Sequence, residues 1–364
     1  MITPQPRPAL AGIGGPMAAV PELLQSGMRR LCSNESPLGP SARAIEAASA
    51  AAARGHEYPE GEGGDLIAAL AGRFDVPTSH VILGPGSDTL MLNAVLAFAG
   101  PGDEVVFSAR GYARYARNAA IAGATPVAVA DKDFRADPDA LLAAVGPRTR
   151  VVMLANPDNP SGAMLALDDL LALHGSLPGN VLLVLDCAYA EYVRDATYGD
   201  GGLRLAKTAG NVLVSRTFSK LFGMAGMRLG WLAGDPALLQ PITKVGPTFP
   251  VSRPALAAGL AALADEAHQL AARKHNDIWL PWLADNLARS NVLRVYPSQS
   301  NFLLIDFPTS EMVQECTARL AAERILVRRF GAGAHARQMR ISIGEAAALQ
   351  RAADIIIDFV TKGL

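Results

Sequence analysis

The sequence predicts an α/β fold, and three observations support that prediction. Short, continuously apolar runs alternate with helical patterns between about residues 80 and 235, as in a sheet covered by helices on both faces. Half of the 364 residues are hydrophobic and 18% are charged, which is typical of a well-buried globular protein. The chain is also longer than one hydrophobic core usually supports. We therefore expect a mixed, mostly parallel central sheet covered by helices, together with a smaller α+β domain.

The first part of the chain combines an arm with the strands of the large sheet. Residues 1–40 are rich in proline and glycine and lack a sustained period, so we interpret them as an N-terminal arm. Ser41 is placed to cap a helix that ends near Arg54, and a second helix is predicted from Gly64 to about Arg73. Seven apolar runs then predict strands near Val81–Leu83, Val105–Phe107, Pro126–Val129, Val151–Leu154, Val181–Leu185, Val212–Ser215 and Leu229–Leu232.

The order of elements changes after Asp235. A long helical region is predicted from about Ser252 to Arg289, with an interruption at Pro281. Shorter elements follow: strands near Leu293–Val295, Phe302–Ile305, Ile325–Arg328 and Met339–Ile343, and helices near Ser310–Ala322 and Glu345–Val360.

These patterns divide the chain into three parts. The arm at 1–40 is expected to pack against the small domain or a partner subunit. The large domain covers 41–250, and 251–364 contains the connecting helix and the small C-terminal domain.

Composition argues against several classes of protein. The net charge of −1 gives no sign of a nucleic-acid surface, and no apolar run reaches membrane-spanning length. Cys32, Cys187 and Cys316 are too few and too far apart for a disulfide framework or a zinc site, and the histidines show no metal-ligand spacing. The N-terminal segment lacks a continuous signal-peptide core. We therefore expect a soluble protein of the reducing cytoplasm, without a metal.

Lys220 stands where the strand that starts at Val212 runs into a glycine-rich turn. A lysine at the end of a buried strand is costly to bury charged, so it must be paired, deprotonated or converted into an imine. Thr217, Ser219 and Arg228 supply hydroxyls and a guanidinium that can hold a phosphate beside this amine. This combination describes a pyridoxal-phosphate site. The alternative is an ordinary strand-to-turn junction with a solvated lysine.

Residues that follow other predicted strands add to this hypothesis, because ligands gather at the carboxyl ends of parallel strands. Ser87 opens a predicted helix whose free N–H groups can bind an anion, although it can equally be a helix cap. Tyr112 can stack on an aromatic cofactor or simply pack in the core, and Tyr115 lies close behind it.

Two further strand ends carry polar residues that suit a pyridine ring. Asn159 lies in a rigid loop between two prolines, where it can hydrogen-bond a phenolic oxygen. Asp186 follows five apolar residues, so it is predicted to be buried, and a buried carboxylate needs a cationic partner such as a pyridinium nitrogen. Tyr189 comes three residues later.

The order of these residues resembles the fold-type I pyridoxal-phosphate enzymes and, among them, the class I/II aminotransferases. Within that family the chain is most similar to the histidinol-phosphate aminotransferase subfamily. The segments that carry the resemblance are Ser33-Asn-Glu-Ser-Pro37, Tyr58-Pro59, Gly86-Ser-Asp88, Asn156-Pro-Asp-Asn-Pro-Ser-Gly162, Asp186-Cys-Ala-Tyr189, Ser219-Lys220, Gly226-Met-Arg-Leu-Gly230, Ser298-Gln-Ser-Asn-Phe302, Leu326-Val-Arg328 and Arg340-Ile-Ser-Ile-Gly344.

The resemblance implies roles for the residues around the cofactor. Lys220 would form the imine, Asp186 would pair with the pyridine nitrogen, Asn159 and Tyr189 would bond the ring hydroxyl, and Tyr112 would stack on the ring. Tyr58 would reach the phosphate in the neighbouring subunit of a homodimer with shared sites. The cofactor phosphate would be surrounded by Gly86, Ser87, Asp88, Thr217, Ser219 and Arg228.

The resemblance also implies substrate contacts. Arg340 would bind the α-carboxylate of an amino acid, and Arg328 would bind a distal anion, either a substrate phosphate or the side-chain carboxylate of glutamate. Asn34 would also contact the substrate. The alternative for the two arginines is a surface ion pair, which stabilises little. The implied reaction is amino transfer between a donor such as histidinol phosphate and 2-oxoglutarate.

Some positions depart from the subfamily pattern. The arm at Gly15-Pro-Met-Ala-Ala-Val-Pro21 lacks the usual tyrosine, Cys187 stands where an acidic residue is common, and Thr89 replaces the usual glutamate. An aromatic or other amino acid is therefore the nearest alternative substrate. A pyridoxal-phosphate-dependent decarboxylase or lyase is the alternative reaction.

Overall fold

The computed structural model describes residues 7, 10, 27–59, 61, 63–331, 333 and 335–362. The arm segment at 15–21 therefore lies outside the described residues. Within the described ranges the strands are β1 (Arg29–Leu31), β2 (Val81–Gly84), β3 (Glu104–Ser108), β4 (Thr125–Val129), β5 (Thr149–Ala155), β6 (Leu182–Asp186), β7 (Val212–Thr217), β8 (Gly230–Gly234), β9 (Arg294–Val295), β10 (Phe302–Asp306), β11 (Ile325–Arg329) and β12 (Gln338–Ser342).

Two sheets organise these strands. The larger sheet has the order β2-β8-β7-β6-β5-β3-β4, and only β8 runs antiparallel to its neighbours. The smaller sheet has the order β1-β11-β12-β10-β9, with β1 parallel to β11 and the other pairs antiparallel. The mixed, mostly parallel sheet expected from the apolar runs is thereby confirmed.

Helices cover both sheets. They are α1 (Ala42–Ala52), α2 (Gly64–Phe74), α3 (Ser87–Phe98), α4 (Arg114–Ala122), α5 (Pro138–Ala143), α6 (Leu167–Ser176), α7 (Gly201–Thr208), α8 (Pro236–Val245), α9 (Arg253–Ala264), α10 (Glu266–Ala288), α11 (Ser310–Ala322) and α12 (Ala346–Lys362). Ser41 caps α1 as predicted, because its side chain accepts a hydrogen bond from the Ala44 N–H. Among the described residues, no helix has both the length and the apolar character needed to cross a bilayer.

The central strands of the larger sheet have buried side chains on both faces. Val152 and Leu154 of β5 belong to one apolar cluster, whereas Val151 and Met153 belong to the cluster on the opposite face. This two-sided burial explains why these strands are continuously apolar in sequence. It also leaves the strand ends as the places where polar side chains can be exposed to a ligand.

The predicted interruption at Pro281 is wrong. Pro281 lies inside α10, where Leu280 and Leu283 on either side of it are buried in the core of the smaller sheet and stabilise the helix there. The long helical region is instead divided at Asp265, whose side chain caps α10 by accepting a hydrogen bond from the His268 N–H at 3.2 Å.

Candidate active site

A cavity of about 380 Å³ lies where the carboxyl ends of β6 and β7 approach β11 and β12. Its lining includes most of the predicted site residues: Asn34, Ser87, Asp88, Tyr112, Asn159, Asp186, Tyr189, Thr217, Ser219, Lys220, Arg228, Arg328 and Arg340. Gly86 is adjacent, since it caps the helix that begins at Ser87. Tyr58 is outside the lining and lies 76% exposed, with its ring stacked on Phe249 at a centroid distance of 4.5 Å.

The Lys220 amine is held in a desolvated position. Its Nζ donates a hydrogen bond to the Ser33 carbonyl oxygen at 3.2 Å. Burial lowers the pKa of Lys220 to about 8, and the positive charges of Arg340 and Arg228 contribute to the same shift. Roughly a tenth of the amine is therefore unprotonated at pH 7, far more than for an exposed lysine, and this neutral form is the one that a nucleophile or a base requires.

Asp186 occupies the carboxyl end of β6 and is buried. Its Oδ2 accepts a hydrogen bond from the Tyr115 hydroxyl at 3.1 Å, and its Oδ1 accepts one from the Ala188 N–H at 3.2 Å. Burial raises the pKa of Asp186 to about 6, while the Tyr115 hydrogen bond opposes that rise. The carboxyl group is therefore mostly ionised at neutral pH, and a cationic ligand group beside it would favour the ionised form further.

An anion cradle forms at the start of α3. Gly86, at φ +86°, caps this helix without a side-chain hydrogen bond, which leaves the first N–H groups available to a ligand. A side chain at Gly86 would collide with Arg228, because a Cβ there would lie 2.4 Å from the guanidinium Nη2. The Arg228 Nη1 also donates to the Ser219 hydroxyl at 3.4 Å. Helix N–H groups, a hydroxyl and a guanidinium therefore converge, as a phosphate site requires.

Asp88 is paired within this cradle. Its carboxylate accepts hydrogen bonds from the Nε and Nη2 atoms of Arg114, at 3.1 and 2.5 Å. Because Arg114 neutralises the Asp88 charge, the carboxylate would repel a nearby anion less. The side chain of Asp88 is engaged by Arg114, so its predicted phosphate contact stays a prediction.

A chain of hydrogen bonds fixes the direction of the Tyr189 hydroxyl. Arg340 can only donate, so its bond to the Asn159 Oδ1 orients the Asn159 amide with its Nδ2 toward Tyr189 at 3.3 Å. Asn34 donates a second N–H to the Tyr189 oxygen at 2.9 Å. Burial raises the pKa of Tyr189 to about 12, so the hydroxyl keeps its hydrogen. With both acceptor positions occupied, this hydrogen is free to donate to a ligand.

Asn34 is held firmly for this purpose. It is 1% exposed and adopts a left-handed conformation with φ +56°. Its N–H donates to the Ser342 hydroxyl at 2.7 Å, and that hydroxyl donates back to the Asn34 Oδ1 at 2.9 Å. Both polar atoms of its side chain are therefore bonded within the protein, and the predicted substrate contact of Asn34 stays a prediction.

Arg340 has an unused donor. Its Nη2 donates to the Cys32 carbonyl oxygen at 2.9 Å, but its buried Nε has no hydrogen-bond partner within the described ranges. Burial lowers the pKa of Arg340 to about 10, so it remains a cation at neutral pH. Arg328 lies opposite Arg340 in the β11–β12 pairing, and both line the cavity. A buried cation with a free donor suits a carboxylate ligand.

Among the residues at the site that received no role from the sequence are Ser33, Tyr115 and His335. Ser33 contacts Lys220 through its backbone carbonyl, and a backbone contact cannot be predicted from the pattern of side chains. Tyr115 follows Tyr112 by three residues, and their rings meet edge to face at 5.6 Å. Three-residue spacing near the start of a helix was the signal that could have identified Tyr115. His335 lines the cavity from the segment between β11 and β12.

Comparison with known proteins agrees with this geometry. The model of the family described as aminotransferase class I and II matches residues 26–356. The chain belongs to that family. The predicted fold type and the predicted aminotransferase class are thereby confirmed.

Individual class I/II aminotransferases are similar along nearly the whole chain. Histidinol-phosphate aminotransferase from Paramagnetospirillum magneticum is 42% identical over 352 residues, covering 94% of this chain and 95% of that protein. The protein of the same name from Rhodospirillum centenum is 43% identical over 332 residues, covering 91% of each chain. The crystal structure of histidinol-phosphate aminotransferase from Sinorhizobium meliloti in complex with pyridoxal 5'-phosphate is 30% identical. It has a TM-score of 0.90 and covers 100% of this chain and 99% of that one.

Proposed function

We propose that this chain is a pyridoxal-phosphate-dependent aminotransferase that moves an amino group between histidinol phosphate and 2-oxoglutarate. One observation carries the proposal: a single cavity contains the Lys220 amine, the Asp186 carboxylate, an anion cradle at Arg228 and two further arginines. The names of the curated relatives support histidinol phosphate as the amino donor.

The cofactor side of the cavity suits the chemical groups of pyridoxal phosphate. The bound cofactor would act as an electron sink for the charge that develops on the substrate Cα. Asp186 would hold a proton on the ring nitrogen, and Tyr189 would donate its hydroxyl hydrogen to the ring oxygen. Ser219 and Arg228, with the N–H groups at the start of α3, would hold the phosphate, and Tyr112 would cover the ring.

The Lys220 amine would hold the cofactor covalently, and, once the substrate amine has displaced it, would serve as the proton carrier. Its desolvated amine has a pKa of about 8, so it can accept a proton from the substrate Cα near neutral pH. The Ser33 carbonyl, which accepts a hydrogen bond from the amine at 3.2 Å, would orient it.

The two arginines suit the anionic groups of the substrates. Arg340 would bind the α-carboxylate of glutamate through its unpartnered Nε, and Arg328 would bind the distal carboxylate. With histidinol phosphate, Arg328 would bind the substrate phosphate. Asn34 would contribute indirectly, by holding Tyr189.

A donor screen tests the proposed substrate. Histidinol phosphate, phenylalanine, tyrosine and histidine are compared as amino donors to 2-oxoglutarate, and glutamate formation is measured. We expect the highest kcat/KM for histidinol phosphate. A preference for phenylalanine or tyrosine would instead identify an aromatic aminotransferase, while release of carbon dioxide or ammonia would identify a decarboxylase or lyase.

We further propose a cytoplasmic homodimer in which Tyr58 contacts the phosphate in the partner's site. The pair of Tyr58 with Phe249 supports this, because both aromatic rings are exposed, at 76% and 51%, and aromatic residues are enriched at interfaces. The proposed parts are the arm at 1–40, the large domain at 41–250 and the small domain at 251–364. The pairing of β1 with β11 supports packing of the arm on the small domain.

Subunit mixing tests the shared site. Lys220→Ala and Tyr58→Ala proteins are unfolded together and refolded, so that hybrid dimers form. If Tyr58 serves the partner's site, each hybrid contains one intact site, and activity should exceed that of either variant alone. Mixed protein no more active than its parents would contradict the proposal, and a monomer by analytical ultracentrifugation would also do so.

A further inference from the structure

We propose that His335 is a positioning residue that fixes the loop carrying Tyr112 relative to the strand end carrying Arg328. The inference deepens the proposed function and rests on it, because these two residues are assigned to the cofactor ring and to the distal anion of the substrate. His335 itself lies in the lining of the same cavity.

A hydrogen bond joins His335 to the opposite side of the cavity. The His335 Nε2 lies 3.1 Å from the Arg110 carbonyl oxygen, two residues before Tyr112. A carbonyl only accepts, so Nε2 carries the hydrogen in this tautomer. Burial lowers the pKa of His335, which keeps the ring neutral at neutral pH, and protonation at low pH would leave the Nε2–H donor in place.

Aromatic packing surrounds this hydrogen bond. The His335 ring packs against Phe330, at a centroid distance of 5.1 Å, and against Phe134, at 5.8 Å. The Arg110 guanidinium covers the Phe134 ring at 4.3 Å. Phe134 and Arg110 come from segments beside the larger sheet, whereas Phe330 and His335 follow β11 of the smaller sheet. The cluster therefore joins the two sides of the cavity.

The position of this cluster connects it to substrate binding. Phe330 follows Arg328 by two residues, and Arg110 precedes Tyr112 by two residues. All three of Phe330, Arg328 and Tyr112 line the cavity. The His335 hydrogen bond therefore sets the distance between the distal-anion arginine and the ring-covering tyrosine.

Substitutions at His335 in the cofactor-loaded enzyme test this role. His335→Gln places an amide N–H near the position of Nε2, whereas His335→Asn is too short and His335→Leu has no donor. His174→Leu is the matched control, because it removes a histidine on α6 whose Nε2 bonds to Asn211 instead. We measure kcat and KM for histidinol phosphate and for phenylalanine, together with the circular dichroism of the cofactor band without substrate.

We expect His335→Leu and His335→Asn to raise the KM for histidinol phosphate about tenfold, to change kcat less than threefold, and to weaken the cofactor-band ellipticity. His335→Gln should restore the KM for histidinol phosphate and the cofactor-band ellipticity to within about threefold of the wild-type values. An unchanged KM and ellipticity in His335→Leu, or a His335→Gln enzyme as impaired as His335→Leu, would overturn the proposal. The ellipticity needs no substrate, so it tests His335 even if the donor screen rejects histidinol phosphate.

Discussion

The two sides of the cavity are built differently. The cofactor side collects residues from neighbouring elements around one sheet: Asp186 ends β6, Thr217 ends β7, and Ser87 begins α3. The substrate side is supplied by Arg328 and Arg340 of the smaller sheet, and hydrogen bonds from Arg340 to Asn159 and from Asn34 to Tyr189 join the two sides. The larger sheet therefore supplies most residues of the cofactor side, whereas the position of the substrate side relative to it depends on how the two sheets are placed.

The largest effect is expected on the cofactor side, at Lys220. The Lys220→Ala variant should lose both the imine absorbance and turnover, because no other described amine occupies the cavity. Loss of the proton carrier alone corresponds to roughly 10⁴-fold or less, and loss of the imine adds to it. Absorbance spectra and steady-state rates are the measurements. Retention of both signals would remove Lys220 from the site.

Asp186→Ala should also impair the cofactor side while leaving bound cofactor. The phosphate cradle at Arg228 and Ser219 is intact in this variant, but the ring nitrogen loses its counter-ion. We expect a loss of roughly 100-fold in kcat. Cofactor content by absorbance and kcat by glutamate formation are measured together, and an unimpaired rate would exclude this role.

Arg328→Ala should affect the substrate side and leave the cofactor side unchanged. A charged hydrogen bond stabilises by about 1.5–3 kcal/mol, so the KM of histidinol phosphate should rise by roughly 10- to 100-fold. Phenylalanine, which lacks the distal anion, should be affected much less.

Arg329→Ala is the matched control for Arg328→Ala. Arg329 is the next residue in β11 and is exposed, so its removal takes away the same charge outside the cavity. If Arg328→Ala raised the KM of both donors equally, or if Arg329→Ala had the same effect, the distal-anion role would be wrong.

Tyr115→Phe should produce a smaller loss on the cofactor side. Without the Tyr115 hydrogen bond the Asp186 carboxylate becomes more basic, which draws the proton away from the ring nitrogen. A loss of about 1 kcal/mol corresponds to roughly fivefold in kcat. Nitrogen NMR of isotopically labelled cofactor reports the ring proton directly. Tyr198→Phe is a suitable control, because Tyr198 belongs to the core on the opposite face of the sheet.

A separate prediction concerns the stability of the cofactor-free protein. Burial lowers the pKa of Lys220 from 10.5 to about 8, so unfolding takes up a proton between these pH values. The free energy of unfolding should therefore rise with pH across this window. Below pH 8 the amine is charged in both states, and the destabilisation caused by burying this charge is fully present. Lys220→Met should be more stable than wild type at pH 7, with the difference disappearing near pH 10.5. Denaturant unfolding at several pH values measures this, and equal stabilities at pH 7 would contradict it.

The sequence reveals the cofactor side better than the substrate side for a physical reason. An apolar run followed by a polar residue is a local signal, and it predicted Asp186 and Lys220, which both line the cavity. The contact of Asn34 with Tyr189 joins residues 155 positions apart, and no local pattern encodes it. Likewise, β1 was not predicted, because Arg29 and Arg30 are exposed and the strand exists through its pairing with β11.

Helix boundaries show the same limit. We predicted a break at Pro281 because proline disrupts the interior of a helix, but buried leucines beside it keep α10 continuous. The actual boundary depends on the capping bond from Asp265, a short-range signal that alanine-rich flanks obscured. Tertiary packing therefore overrides a local preference where the helix faces the core.

One measurement tests the central claim most directly: a single half-reaction of the cofactor-loaded enzyme with histidinol phosphate and no 2-oxo acid. The account predicts that the imine absorbance disappears, that one amino group per site is retained on the cofactor, and that added 2-oxoglutarate restores the absorbance while forming one equivalent of glutamate. Unchanged absorbance, or release of ammonia without recovery of the absorbance by 2-oxoglutarate, would contradict it.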